Sequence, residues 1–336
     1  MTNRQQRSPV RLWLAGALLL FTPGMATAPP PVVEYEIPRP SAFPHDPAVG
    51  PDGIVWYTDQ ANSYIGRLDP ATGEITDYPT PTPQSGPHGI TVGPDGMVWY
   101  TGNRNFRIGR LDPRTREIKE FLLPERARDP HTLVVHQGKV WFTVQRANLY
   151  GSLDPASGDV KLYPSPIEGS LPYGIEPAPD GSLWIALFGT NALGRVDPSN
   201  GAIRTFTLPQ SESRPRRLAV ARDGRVWYTD YSRGKLGVLD PKTGNVREYA
   251  GTTERSGPYG IVIAPDGKIW YNEAFTNQMI AFDPGTEKFE ATEIPTRTAV
   301  VRHIALDPVR GRIWLALSGT HRLGRIDVAS AASAGR

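Results

Sequence analysis

The chain contains six histidines, and four of them (His45, His88, His131 and His303) stand at the same place in a repeating unit of sequence. Imidazole titrates near neutral pH and is a common metal ligand. Imidazoles at equivalent places of a repeat can be gathered around one point, where they could move a proton or hold a metal ion. The other three repeats carry Tyr173, Arg216 and Tyr259 there, and Arg302 and Arg217 flank ring positions. Asp59, Asp230 and Glu273 each lie three residues past a recurring tryptophan, which is expected to bring them to the rim of the same opening. The two remaining histidines are His136, expected in a hairpin turn on the opposite face, and His321, expected in the loop after the last tryptophan strand.

The elements that must position these groups are read from the tryptophans. Trp56, Trp99, Trp141, Trp184, Trp227, Trp270 and Trp314 are spaced 43, 42, 43, 43, 43 and 44 residues apart. A self-similar period of about 40–50 residues marks a β-propeller blade or a helical array. Within one unit, Gly89 to Val92 reads as a strand. Pro94-Asp95-Gly96 turns the chain, with glycine supplying the positive φ of a tight hairpin. Met97 to Thr101, Arg107 to Leu111 and Ile118 to Leu122 are three further strands, and Asp112-Pro113 suits a type I turn between the last two. No stretch of residues 29–336 shows a sustained helical period of apolar residues, so the array is all-β: seven four-stranded antiparallel blades. The seventh unit stops at Asp327 without a fourth strand, whereas Glu34 to Pro38 matches that strand and has nothing before it to pair with. The N-terminal strand is expected to complete the last blade and close the ring. In such a ring the first strand of each blade lines the channel. The residue that opens it faces the mouth of a central funnel.

Four segments follow: a signal peptide at 1–28, a linker at 29–33, the propeller at 34–327 and a disordered tail at 328–336. The leader reading rests on Arg4, Arg7 and Arg11 ahead of a short apolar run, Leu12 to Phe21, with small residues at Ala26 and Ala28. It predicts a periplasmic or secreted protein with no membrane contact after cleavage. The chain has 37 basic and 34 acidic residues, and three of the basic ones lie in the leader. The remainder is formally neutral, which argues against nucleic acid or an anionic membrane as partner. There is no cysteine, so disulfides and thiolate metal sites are excluded. Phosphate-binding loops, His-Glu-x-x-His, Gly-x-Ser-x-Gly and calcium-loop patterns are absent.

Features common to nearly all units, such as the tryptophans, the Gly-Arg pairs and the Asp-Pro turns, are read as folding determinants. Function is sought where units differ. The ring of His45, His88, His131, Tyr173, Arg216, Tyr259 and His303, with Arg302 and the three acids, is read as the substrate-binding funnel. The bland alternative is a set of polar aromatic strand caps bonded to water or to neighbouring blades. A metal site on His45, His88, His131 and His303 is a further alternative, and no metal ligand is assigned.

The unit Pro-His-Gly-Ile, Asp-Gly, Trp-Tyr-Thr, Ile-Gly-Arg, Tyr-x-x-Pro is similar to that of the streptogramin B (virginiamycin B) lyases, and the resemblance covers about residues 34–327. It implies opening of a cyclic depsipeptide lactone by elimination, with a base that removes the proton α to a carbonyl and a magnesium ion that polarises that carbonyl. It assigns the base to His303. A second family histidine falls at Tyr259. The family's magnesium-binding carboxylates fall at Val301 and at Leu317-Ser318, so the implied magnesium has no matching ligands. The expected function is an exported lyase-like propeller that binds a small molecule or peptide in its funnel, with His303 as the catalytic residue of any elimination. The alternative is a non-catalytic binding or protein-interaction propeller. The chain is expected to be monomeric.

Overall fold

The computed structural model describes residues 30–334, so the leader expected at 1–28 lies outside the described residues. Seven four-stranded antiparallel sheets form the seven blades. In blade one the strands are Pro44–Val49, Val55–Asp59, Tyr64–Leu68 and Ile75–Pro79, each paired with the next. The inner strands of blades two to seven begin at Pro87, Pro130, Pro172, Pro215, Pro258 and Val301.

Blade seven is completed from the other end of the chain. Val32–Glu36 pairs antiparallel with Arg322–Asp327, with Val32 opposite Ile326 and Glu36 opposite Arg322. The closing strand therefore starts at Val32, inside the segment read as a linker. Tryptophan packing shows why closure is needed. In blade one Trp56 lies 5.8 Å from Tyr78 of the fourth strand, and in blade three Trp141 lies 6.0 Å from Tyr163. Trp314 finds its counterpart in Tyr35 of the N-terminal strand, at 5.5 Å. All seven tryptophans are 1–5% exposed. Each contributes roughly 3 kcal/mol of apolar burial, and the aromatic pairs add to it. The clusters span neighbouring blades, as where Trp56 packs with Ile90, Val98 and Tyr100 of blade two. The tail differs from the disorder expected for it. The Val328 N–H donates to Gly311 O at 2.8 Å and the Ala331 N–H to Pro308 O at 2.9 Å, and Ala331–Ala334 forms one helical turn. Residues 335–336 are outside the described set.

Every inner strand carries a β-bulge near its start. In blade one Pro44 pairs with Asp59 and Pro47 with Tyr57, so His45 and Asp46 together face Thr58. The same shift occurs in the other six blades. A bulge leaves one residue unpaired and re-aims its side chain. Here the threonine opposite it supplies the missing partners. Thr58 Oγ1 accepts from the Asp46 N–H at 3.1 Å and donates to His88 O of the next blade at 2.8 Å. Thr101, Thr143 and Thr229 repeat both bonds, each donating at 2.8 Å to the following blade's ring carbonyl. In blade six the Asn272 amide accepts from the Gly260 N–H and donates to Val301 O, one residue before the ring position of blade seven. Blades four and seven have Ala186 and Ala316 at this place.

One hydroxyl thus satisfies a buried amide and a buried carbonyl. Thr143→Val, which keeps the shape and removes both bonds, is expected to cost about 2–4 kcal/mol of stability. The measurement is urea unfolding of the two proteins side by side. A loss below about 0.5 kcal/mol would show that the bulge is held by other contacts.

Candidate functional site

Each bulge turns two successive residues toward the channel, so the inner strands build two stacked layers. The upper layer is His45, His88, His131, Tyr173, Arg216, Tyr259 and Arg302. The lower is Asp46, Gly89, Thr132, Gly174, Arg217, Gly260 and His303, by the same register. This corrects the place of His303. Val301 pairs with Leu317 as Pro44 pairs with Asp59, which puts Arg302, not His303, at the ring position. The turn between Asp307 and Arg312 is one residue longer than its counterparts, so counting back from Trp314 stops one residue short.

The upper layer has two unlike halves. On one side three imidazoles and a phenol stack in sequence. The ring centroids of His45 and His88 are 3.9 Å apart, those of His88 and His131 3.8 Å, and those of His131 and Tyr173 4.0 Å. All three histidines are buried. His45 Nδ1 is 2.8 Å from Asp46 Oδ1, and His131 Nδ1 is 3.1 Å from Thr132 Oγ1. The ionised carboxylate of Asp46 can only accept, so it fixes the His45 proton on Nδ1 and leaves Nε2 as an acceptor toward the cavity. His88 Nδ1 is buried with no partner. On the other side the Arg216 guanidinium lies 3.9 Å from the Tyr259 ring centre, 4.3 Å from Tyr231, and 4.9 Å from both Tyr173 and Phe188. It donates to the hydroxyls of Tyr173 and Tyr259 at 3.1 and 3.2 Å, and those two hydroxyls bond to each other. Four rings and two hydroxyls make this a caged cation.

In the lower layer Arg217 reaches across the channel to Asp46, Nη2 to Oδ2 at 2.9 Å, joining blades five and one. Both side chains are at most 4% exposed, and the pair spans the channel beneath the ring. The glycines make room for it. A Cβ on Gly174 would lie 3.0 Å from Arg216 O and 3.3 Å from Arg217 Cδ, and one on Gly260 would lie 3.1 Å from His303 Nδ1. Burial pushes the Asp46 carboxyl up, but Arg217, then His303 and His45, outweigh it and hold its pKa well below the usual range. Burial lowers the pKa of all four channel histidines. For His303, where Arg217 adds to burial, the value falls to about 3. These imidazoles are neutral at physiological pH. Burial also raises Glu176 to about 7, against the pull of Arg217.

The three acids read as rim groups are not in the funnel. Asp59, Asp230 and Glu273 are at most 1% exposed. Asp59 accepts from Arg39 and from the Phe43 N–H, Asp230 from the Arg214 N–H and Arg233, and Glu273 from Thr252 and Thr276. They tie loops together between blades. The mouth is lined instead by the residues one step further along, Gln60, Asn103 and Gln145, with Arg146 and Asp129 beside the ring. These, and Asp46 below, were missed in the sequence. Counting four past each tryptophan instead of three would have found the amides. His136 bonds to Gly181 O, and His321 clasps Ala42 O. The mouth encloses a cavity of about 230 Å³.

His45, Asp46 and His88 present ligand atoms within 4.8 Å of one another and are the described residues that could hold a cation. Asp46 is already paired with Arg217, which opposes it. The magnesium implied by the family resemblance does not fit. Val301 and Leu317, where its carboxylates would stand, are 2% and 0% exposed within one apolar cluster with Ile304 and Leu315. A magnesium ion needs hard oxygen ligands, and this cluster offers none.

Fold and site together define a seven-bladed propeller with a histidine-lined funnel. The sequence matches the Virginiamycin B lyase family over residues 23–158 and 136–334, and the chain belongs to that family. A streptogramin B lyase structure superposes with a TM-score of 0.82 at 25% identity, over 89% of this chain and 97% of that one. A virginiamycin B lyase from Staphylococcus aureus gives 0.82 at 27% identity, over 89% and 99%. A catalytically inactive histidine-to-alanine form of the Staphylococcus aureus enzyme, solved with quinupristin, gives 0.82 at 26% identity over the same shares. A comparison with curated proteins gives no match.

The buried neutral histidines set a pH dependence. In the unfolded chain each titrates near pH 6.5. Below that pH the unfolded state takes up protons that the folded state refuses. Their contribution to stability is therefore complete above pH 6.5 and is lost as pH falls toward the lowered folded values. Each histidine removes up to about 1.4 kcal/mol per pH unit in that window. Glu176 acts oppositely, because its folded pKa of about 7 exceeds the ordinary 4.5, so its share is lost as pH rises through 7. Urea unfolding between pH 7 and 5 should show falling stability, with a slope shallower by up to about 1.4 kcal/mol per pH unit in His88→Gln. Identical slopes would mean that His88 titrates normally in the fold.

Proposed function

We propose that this chain is an exported propeller that binds a small molecule or peptide at the mouth of its funnel and does not carry out the magnesium-assisted elimination of its family. The observation that carries this reading is the buried Asp46–Arg217 pair, which spans the channel under a ring of neutral imidazoles and tyrosines. A ligand entering at the mouth would rest on the ring above that pair. Stacked rings offer apolar faces, and the Gln60, Asn103 and Gln145 amides offer orienting hydrogen bonds.

Two features weigh against the family reaction. The apolar pair Val301 and Leu317 leaves magnesium without ligands. His303 lies one layer beneath the ring, and a conjugate acid with a pKa near 3 makes it a weak base for a proton α to a carbonyl. A second reading, elimination with His303 as base, draws on one observation: His303 Nδ1 is buried and has no partner.

Incubating the protein with a streptogramin B, with and without magnesium, separates the two readings. Elimination isomerises the ring to a linear product of equal mass, resolved by chromatography and fragment spectra. The cyclic form is expected to persist in both samples, while a small-molecule screen by NMR perturbs the imidazole signals of His88 and His131. A linear isomer whose formation is abolished in His303→Ala would overturn this reading in favour of the second.

A further inference from the structure

Beside the funnel, on the mouth face of blades two and three, lies a groove of about 500 Å³ lined by Arg104, Arg126, Arg128, Arg146 and Phe106. Asn103, Asp129 and Arg146 line both groove and funnel, so the two are continuous. Of the four guanidiniums, Arg128 alone makes an ion pair, with Glu125. Arg104, Arg126 and Arg146 are exposed, and their side chains make no hydrogen bond or ion pair among the described residues. Arg104 is nevertheless placed, because its methylenes lie over Gly86, where a Cβ would come within 2.7 Å of them. The one carboxylate inside the groove, Asp129, is half-buried. Burial raises its pKa to about 6 against Arg146, and one of its oxygens is unpartnered. The groove is thus a concentration of positive charge with little internal compensation, in a chain of 37 basic and 34 acidic residues. The funnel beside it is also positive: Arg216, Arg217 and Arg302 face one ionised carboxylate, Asp46, while the imidazoles are neutral.

Phe106 supplies the second observation. The place it occupies, seven residues past the tryptophan, turns the chain into the third strand with a left-handed backbone. In five other blades the equivalent residue shares it, Ser63 (φ 62°), Asn148 (57°), Gly234 (65°), Asn277 (59°) and His321 (57°), Asn191 of blade four being the exception, and Phe106 itself has φ 59°. Glycine and asparagine take this conformation readily, and a bulky side chain does so at a cost. Phe106 gains only partial burial in return. It is one of the few large apolar side chains left exposed, at 38%. A residue that is both unfavourable for the backbone and unfavourable for solvation points to a use outside folding.

We propose that this groove binds the charged end of the ligand, an organic anion bearing a planar apolar group: the oxyanion is held by Arg104, Arg126 and Arg146, and the planar group lies against Phe106 at the entry to the funnel. Guanidinium groups suit carboxylate and phosphate oxygens through paired N–H donors. The inference rests on the funnel being the ligand site, but its test does not depend on any turnover.

Titration calorimetry at fixed ionic strength, with phenyl phosphate and inorganic phosphate as probes, tests it. Phenyl phosphate is expected to bind saturably, about 5–10-fold tighter than inorganic phosphate. The triple variant Arg104→Ala, Arg126→Ala, Arg146→Ala should lose at least about 10-fold in affinity for both, whereas Arg247→Ala, an exposed arginine of an outer strand, should change neither. Phe106→Asn should raise the melting temperature by about 2 °C and yet weaken phenyl phosphate about 5-fold. Absence of saturable binding, equal binding by the triple variant, or Phe106→Asn with unchanged affinity would each overturn the proposal. Opening of a streptogramin ring would overturn the functional reading above while leaving these binding results as they stand.

Discussion

The channel depends on a β-bulge that is closed by a hydroxyl. A regular strand would send alternate residues to opposite faces of the blade and leave one side chain per blade at the axis. The bulge places two there, at the price of an unpaired amide. A threonine two residues past the tryptophan accepts from that amide and donates its own O–H to the next blade's carbonyl. The same atom therefore shapes the site and joins the blades. Glycines at three of the seven lower positions then leave enough room for one long ion pair to lie across the axis.

That geometry decides the electrostatics. Imidazoles stacked within 4 Å and largely buried cannot all carry charge, and they remain neutral next to two arginines. Asp46 stays ionised because Arg217 meets it directly, and its other oxygen orients His45. The histidine ring is consequently better suited to hydrogen bonding and stacking than to proton transfer. A cation entering it would meet Arg217 and Arg302 before it met a free carboxylate.

The architecture was legible because it is periodic. Seven tryptophans set the blade count, and the unpaired strand at Glu34 to Pro38 announced ring closure, which Tyr35 completes against Trp314. The ring residues of blades one to six were legible for the same reason. His303 was misplaced because the repeat is not strictly periodic: one extra residue between Asp307 and Arg312 shifts a position counted from Trp314. Asp59, Asp230 and Glu273 were misread because a carboxylate after a strand looks the same in sequence whether it faces solvent or ties a loop, and only three-dimensional packing shows Asp59 sealed under Arg39. Asp46 and Arg217 are 171 residues apart, and no local pattern marks either as the partner of the other.

The exceptions to the repeat fit one another. The side-chain latch, a threonine hydroxyl in four blades and the Asn272 amide in blade six, is missing at two joints, from blade four to blade five, where Ala186 stands, and from blade seven to blade one, where Ala316 stands. Blades five and one are the two that the Asp46–Arg217 pair ties across the channel. At the second joint Ser318 also donates to Pro44 O, a different hydroxyl reaching the neighbouring carbonyl. A buried ion pair is weak evidence for net stability, since desolvation offsets its attraction, but it specifies which groups must meet. Here it couples blade one to blade five, each of which lacks the threonine or asparagine latch on one side. Side-chain latches of that kind join neighbours at five joints, Ser318 supplies a different hydroxyl at the joint from blade seven to blade one, and the cross-channel pair adds a contact between two blades that are not neighbours in the ring.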